Sequence, residues 1–218
     1  MNTINTLDKQ FFIFTKKTIA NKKPDNIYVI SQLQKYQSLY RKSGYQADFL
    51  SRLAEFAYNM ENNQLLDLAG IVFSRLAKLP IMPELKEQFL KGGLRVSRKQ
   101  GDLIHSLARI VDLKKLYEQN GKTSKRTKML FQEEQVLENI TKNFLDAKDK
   151  YKTVAKNPTA LNKYKLQLAR VKVNIAKTLS TNAARAKFNE ALNIYQEIGA
   201  DEELQFVKKF IAQSARQH

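Results

Sequence analysis

Few side chains in this chain have the type and spacing that catalysis needs. There are two histidines, His105 and His218. His105 follows Asp102 by three residues, a spacing on a helix that allows a hydrogen bond or a shared metal ion. A carboxylate–histidine metal site in a helical bundle needs several such ligands, and only one Asp-x-x-His occurs, so a helix-start aspartate beside a histidine is the expected arrangement. Glu134 and Glu138 are four residues apart and fit an exposed acidic face. The chain has no cysteine, which excludes disulfides, thiolate metal sites and cysteine nucleophiles. No Gly-x-Ser-x-Gly or Ser-x-x-Lys pattern is present. Asn139-Ile140-Thr141 matches a glycosylation acceptor but falls within a helical pattern. The expectation is therefore a protein that is not an enzyme, with no catalytic residue, no cofactor, no metal and no small-molecule substrate.

The stretch 120-NGKTSKRTK-128 contains a Gly-Lys-Thr-Ser tetrapeptide that invites comparison with a phosphate-cradling loop. That loop requires a glycine five residues before the Gly-Lys pair, so that backbone N–H groups can curl around phosphate oxygens. Leu116 stands there, on the apolar face of a helix with Leu113 and Tyr117. The stretch reads instead either as a solvated linker or as a contact loop. In the second case Lys122, Lys125, Arg126 and Lys128 would meet phosphate or carboxylate oxygens.

The formal charge is +17, from 38 basic against 21 acidic residues, and such an excess attracts polyanions. It is unevenly spread: residues 45–80 are near neutral, whereas residues 151–180 carry seven cations, Lys152 to Lys177, and no acid. Leu161, Tyr164, Leu168, Val171 and Ile175 share one helix face, and Lys163, Arg170 and Lys177 recur every seven residues on the opposite one. They define a cationic stripe roughly 20 Å long that is expected to point away from the helix partner. Lys165 and Lys172 flank the core, with stems able to cover apolar surface. A fully solvated face is the alternative reading of the same stripe.

Positioning such residues falls to helices. Glycine (7) and proline (4) are scarce, and no convincing strand pattern appears. Helices are expected at 6–20, from 26 to the Gly44 stop, at 46–60 and 64–79, after Pro83, and from 102 to 120. Gly92-Gly93 implies a kink or a close helix crossing in the fifth. Leu130, Leu137, Ile140, Phe144, Ala147, Tyr151 and Val154, then Leu161 to Leu179 after Asn157-Pro158, predict a long antiparallel helical hairpin at about 127–179. Two more helices follow, at 182–198 and 202–216. The fold class is all-α, built of antiparallel helical pairs as a repeat-like α-solenoid or an irregular bundle. The expected organisation is a helical lobe at 1–120 and a basic helical hairpin with a C-terminal helix pair at 121–218, with one continuous domain as the alternative. Phe11 to Phe14 with Lys16-Lys17 could rest on an anionic membrane, but packing into the first helix pair is the expected role. No leader or membrane span is expected, and the compartment is expected to be cytoplasmic.

Leu53-Ala54, Ala69 and Phe73 recur as Leu168-Ala169, Ala184 and Phe188, each offset by 115 positions. The run 184-ARAKFNEALNIYQEIG-199 resembles the second helix of a tetratricopeptide repeat, and 90-LKGGLRVSRKQGDL-103 resembles its first helix and turn. The first-helix spacing is about three residues too long, and the closing proline is missing. The resemblance implies a protein-binding groove. Two partners fit the sequence: a protein with an acidic surface, bound by a helical adaptor, or DNA or RNA contacted through phosphates by the 122–128 stretch and the 163/170/177 stripe.

Overall fold

Long runs of helix-forming residues between sparse turn signals produce ten α-helices and no strand among the described residues. The computed structural model describes residues 3–150 and 158–215. In chain order the helices are α1 (Thr3–Ala20), α2 (Asn26–Lys42), α3 (Gln46–Asn62), α4 (Leu66–Ala77), α5 (Pro83–Lys99), α6 (Leu103–Gln119), α7 (Thr123–Lys150), α8 (Pro158–Ala176), α9 (Thr181–Ile198) and α10 (Asp201–Ala215). The fold is all-α, as expected, and neighbouring helices pack on one another. The expected stripe positions Tyr151 and Val154, the cations Lys152 and Lys156, and His218 lie outside the described residues.

Local chemistry sets the helix ends. Asp25 caps α2, its Oδ1 accepting from the backbone N–H of Ile27 at 2.8 Å and of Tyr28 at 3.3 Å. Gly44 adopts φ +79°, which ends α2 and lets the Tyr45 N–H reach the Tyr40 carbonyl at 2.9 Å. Pro83 opens α5 at its first turn.

The chain divides into two compact units, Met1–Asp102 and Leu103–His218. The boundary expected at 120–121 falls inside the second unit. There α6 packs on α7, and Gly121 (φ +63°) makes a tight hairpin turn in which the Lys122 N–H donates to the Tyr117 carbonyl at 2.8 Å.

In the first unit, α3 packs against α1, α2, α4 and α5. Phe11 is the aromatic hub of α1, with ring centroids 5.2 Å from Tyr36, 5.7 Å from Phe49 and 6.2 Å from Phe56. Helix α5 continues through Gly92-Gly93, and the pair marks a close crossing: a Cβ at position 92 would lie 2.6 Å from Cε1 of the buried Phe73 on α4.

In the second unit, α6 to α9 pack successively and α10 packs on α9. The expected hairpin stripes meet as α7 and α8, with Leu130, Leu137, Ile140, Leu168, Val171 and Ile175 all buried. A further cluster joins Ala169 and Val173 of α8 to Phe188, Ala191 and Tyr195 of α9 and Leu204 and Val207 of α10.

The 115-residue offset falls on equivalent hairpins, α3–α4 and α8–α9, with Phe73 and Phe188 both buried at the second helix. The helix after each hairpin also returns alongside the first. Glu61 of α3 meets Arg95 of α5 at a separation of 34 residues, and Arg170 of α8 meets Glu203 of α10 at a separation of 33.

Candidate functional site

The basic residues of the expected contact loop and stripe all lie in the second unit, and folding engages most of them. The expected 122–128 loop is helical: Gly121 completes the turn, so α7 starts at Thr123, earlier than the apolar stripe implied. Lys125 then leans back on α6 with Nζ 5.5 Å from the Tyr117 ring centroid, and Arg126 Nε lies 3.4 Å from Glu118 Oε1. Lys128 is exposed on α7, and Lys122 precedes that helix.

The stripe does not point away from every partner. Lys163, Arg170 and Lys177 are exposed, yet α10 lies beside two of them. Arg170 Nη2 donates to Glu203 Oε1 at 2.7 Å, and Lys177 Nζ is 4.9 Å from the Phe210 ring centroid. The sequence places the stripe opposite α7, but the later helix that returns over it is a matter of tertiary packing. The two cation groups therefore lean on different neighbours, α6 and α10.

The acid-free segment is balanced by carboxylates from other helices. Lys172 is buried, only 4% exposed. Its Nζ donates to Glu134 Oε1 at 2.6 Å, Glu138 Oε1 at 2.8 Å and Glu190 Oε2 at 2.6 Å. Lys187 Nζ shares Glu134 Oε1 at 2.7 Å and Glu190 Oε2 at 3.0 Å. Glu134 is buried, which corrects the expected exposed acidic face: it turns inward because α8 and α9 supply ammonium groups. Burial works against charge on Lys172, but its three carboxylate partners outweigh that and hold its pKa above the ordinary lysine value. Burial likewise raises the Glu190 pKa, and the two lysines more than reverse the shift. Carboxylate oxygens of Glu134, Glu138 and Glu190 lie within 4.8 Å of one another, close enough to share a metal ion. The lysines already occupy that role, so the cluster works as an internal ion network. Next to it, Glu133 of α7 is buried and paired with Lys114 of α6, and it accepts from Gln167 Nε2 at 3.1 Å. His105 is exposed in the first turn of α6.

The first unit holds a groove that sequence reasoning missed. It lies between α1 and α3 and encloses about 790 Å³. Phe11 and Phe56, both almost fully buried, form its floor, and Phe12, 55% exposed, stands at its edge with Ile19. Lys9 and Lys16 line it from α1, seven residues apart, and Lys16 Nζ lies 4.6 Å from the Phe12 ring centroid. Neither lysine has a carboxylate partner among the described residues. Arg52 and Glu55 line it from α3.

At one end Asp8 ties the walls together: its Oδ1 accepts from Tyr40 Oη at 2.6 Å and its Oδ2 from Arg52 Nη2 at 3.1 Å. Burial raises the Asp8 pKa, but these two hydrogen bonds outweigh it and leave the value below the ordinary one. On the other side of α3, buried Glu61 accepts from Arg95 Nε at 2.6 Å and Nη2 at 2.5 Å, and from Lys99 Nζ at 2.8 Å. Lys9, Lys16, Arg95 and Lys99 thus flank α3, which carries Arg52 itself, with half-exposed or exposed cations against Asp8, Glu55 and Glu61.

One signal for the groove was legible. Lys9 and Lys16 have the same seven-residue spacing that drew attention to Lys163, Arg170 and Lys177. Phe11 and Phe14 take the core positions of α1, so Phe12 must turn elsewhere.

No family model matches the chain, and no curated protein or solved structure matches it. No helix among the described residues is long and apolar enough to cross a membrane.

Proposed function

We propose that this chain is a helical interaction module, not a catalyst, that takes up an acidic segment of a protein partner in the cytosol. The observation that carries this reading is the α1–α3 groove, where an aromatic floor, an exposed Phe12 and two lysines with no carboxylate partner among the described residues combine apolar and cationic recognition. An exposed aromatic at the edge of a concave groove is what protein recognition uses, with the cations adding attraction and orientation. The return of α5 beside α3 and of α10 beside α8, 34 and 33 residues on, supports a tetratricopeptide-like repeat as the underlying plan. Nucleic-acid binding is the rival reading. It would use the 122–128 and 163/170/177 cations as one surface, and four of these already lie against neighbours: Lys125 on Tyr117, Arg126 near Glu118, Arg170 on Glu203 and Lys177 on Phe210.

The test is fluorescence anisotropy with a labelled amphipathic peptide bearing leucines at helical spacing and flanking glutamates. Binding to the wild-type chain should weaken about tenfold or more in Phe12→Ala, as expected for an anchoring aromatic. Lys9→Glu/Lys16→Glu should weaken it further, with a reduced salt dependence. Equal affinity across these variants would refute the assignment.

A further inference from the structure

Helix α10 borders a surface that the sequence marks as a seven-residue seam. Lys163, Arg170 and Lys177 recur along α8, and α10 runs beside them at a constant offset: Glu203 on Arg170, Phe210 under Lys177. Carried back one heptad, the offset reaches position 196, which belongs to α9, because α10 begins only at Asp201. Lys163 is left exposed, with no ion-pair partner among the described residues. The seam thus runs one heptad beyond the helix that borders it.

The resident helix is also held shallowly. Of residues 201–213, only Leu204 and Val207 are buried, with Phe210 and Ile211 partly covered. It follows α9 through the Gly199-Ala200 turn, where Gly199 has φ +69°, and packs on α9 through Leu204, Val207 and the Phe210 ring, whose centroid is 5.8 Å from that of Phe188. Elements with few buried apolar groups open first.

We propose that the α8 seam is a recognition surface for an amphipathic helix of a partner protein, and that α10 is the resident helix which that partner displaces. The partner helix carries carboxylates at i and i+7, for Lys163 and Arg170, and an aromatic at i+14, for Lys177. Apolar residues at i+8 and i+11 replace Leu204 and Val207. Charge complementarity identifies this occupant, since α10 already supplies the same chemistry at two of the three cations. The added heptad gives the partner its advantage over α10. Occupancy by α10 lowers the apparent affinity by the fraction of time that the seam is closed. This surface is independent of the α1–α3 groove, and either can fail without the other.

The probe is a labelled synthetic peptide: residues 201–215 of this chain preceded by one helical heptad, with a glutamate seven residues before the counterpart of Glu203. It is titrated into the full-length chain by fluorescence anisotropy. Phe210→Ala, which loosens α10 at a part-exposed position, should tighten binding about tenfold. Lys163→Glu, at an exposed residue, should weaken it about tenfold by reversing one charge contact. Peptide addition should also speed hydrogen exchange of the α10 amides. If circular dichroism shows that Phe210→Ala has lost helix, Glu203→Gln provides the loosening instead, with the same direction expected. Absence of binding to every variant, an affinity unchanged by loosening α10, or indifference to Lys163→Glu would each overturn the proposal. So would binding abolished by Phe12→Ala, which would place the peptide in the other groove.

Discussion

Lys172→Met probes the ion network at the centre of the second unit. The substitution keeps an unbranched apolar stem and removes the one group that bonds Glu134, Glu138 and Glu190 together. Breaking a buried ion pair costs about 3–5 kcal/mol, because the surviving charge stays desolvated. Here the Lys172 and Glu134 side chains are 5% and 9% exposed, whereas Glu138 and Glu190 are 52% and 44% exposed and are screened by water. Lys187 also remains to serve Glu134 and Glu190. A loss of about 2–3 kcal/mol is expected, or roughly 30- to 150-fold in local opening. Hydrogen exchange read by mass spectrometry resolves it, since α7, α8 and α9 should lose that protection while α3 to α5 keep theirs. The pH dependence has a definite sign. Glu190 is lowered and Lys172 raised, so their contribution is complete between the ordinary glutamate and lysine values, about 4.3 and 10.4. It is lost as pH falls through the folded value of Glu190 or rises through that of Lys172. The deficit of Lys172→Met should therefore shrink in acid, and Glu134→Gln added to Lys172→Met should restore part of the protection. A loss below about fivefold at neutral pH would show that the network contributes no more than surface pairs do.

Three further outcomes are expected. Gly92→Ala should destabilise the first unit by about 1–2 kcal/mol in a denaturant titration, because overpacking against Phe73 exceeds the gain of about 1 kcal/mol in helix propensity; Phe73→Leu in the same chain should recover part of it. Glu61 is held below the ordinary glutamate value by its hydrogen bonds from Arg95, then opposed by burial and helped by Lys99, so its stabilisation is present above about pH 4.3 and lost as pH falls through the folded value. Glu61→Gln should flatten that acid limb, measured by circular dichroism. Asp25→Ala should cost about 1 kcal/mol by leaving the Ile27 and Tyr28 N–H groups uncapped, seen as faster exchange in the first turn of α2.

The helices were legible because their ends are written in single residues: Gly44, Pro83, Gly121 and Gly199 each stop or start one where expected. The cationic residues were legible as types and spacing, but not as surfaces. Periodicity puts Arg170 and Lys177 opposite the α7-facing stripe of α8, yet it does not say that α10 returns over them 33 residues later. Glu134 read as exposed for the same reason, since its partners Lys172 and Lys187 are 38 and 53 residues away. Phe12 lies within a run of four consecutive apolar residues, and a run without alternation does not show which member the core leaves out.

The most direct test of the groove assignment is an exchange footprint on the full chain, with and without the acidic amphipathic peptide and, separately, with a short RNA or DNA duplex. Protection by the peptide confined to residues 8–20 and 52–63, and absent in Phe12→Ala, is the predicted result. Protection at 122–128 and 163–177 by nucleic acid, with the α1–α3 groove unchanged by peptide, would contradict the account and make the second unit's cations the functional surface.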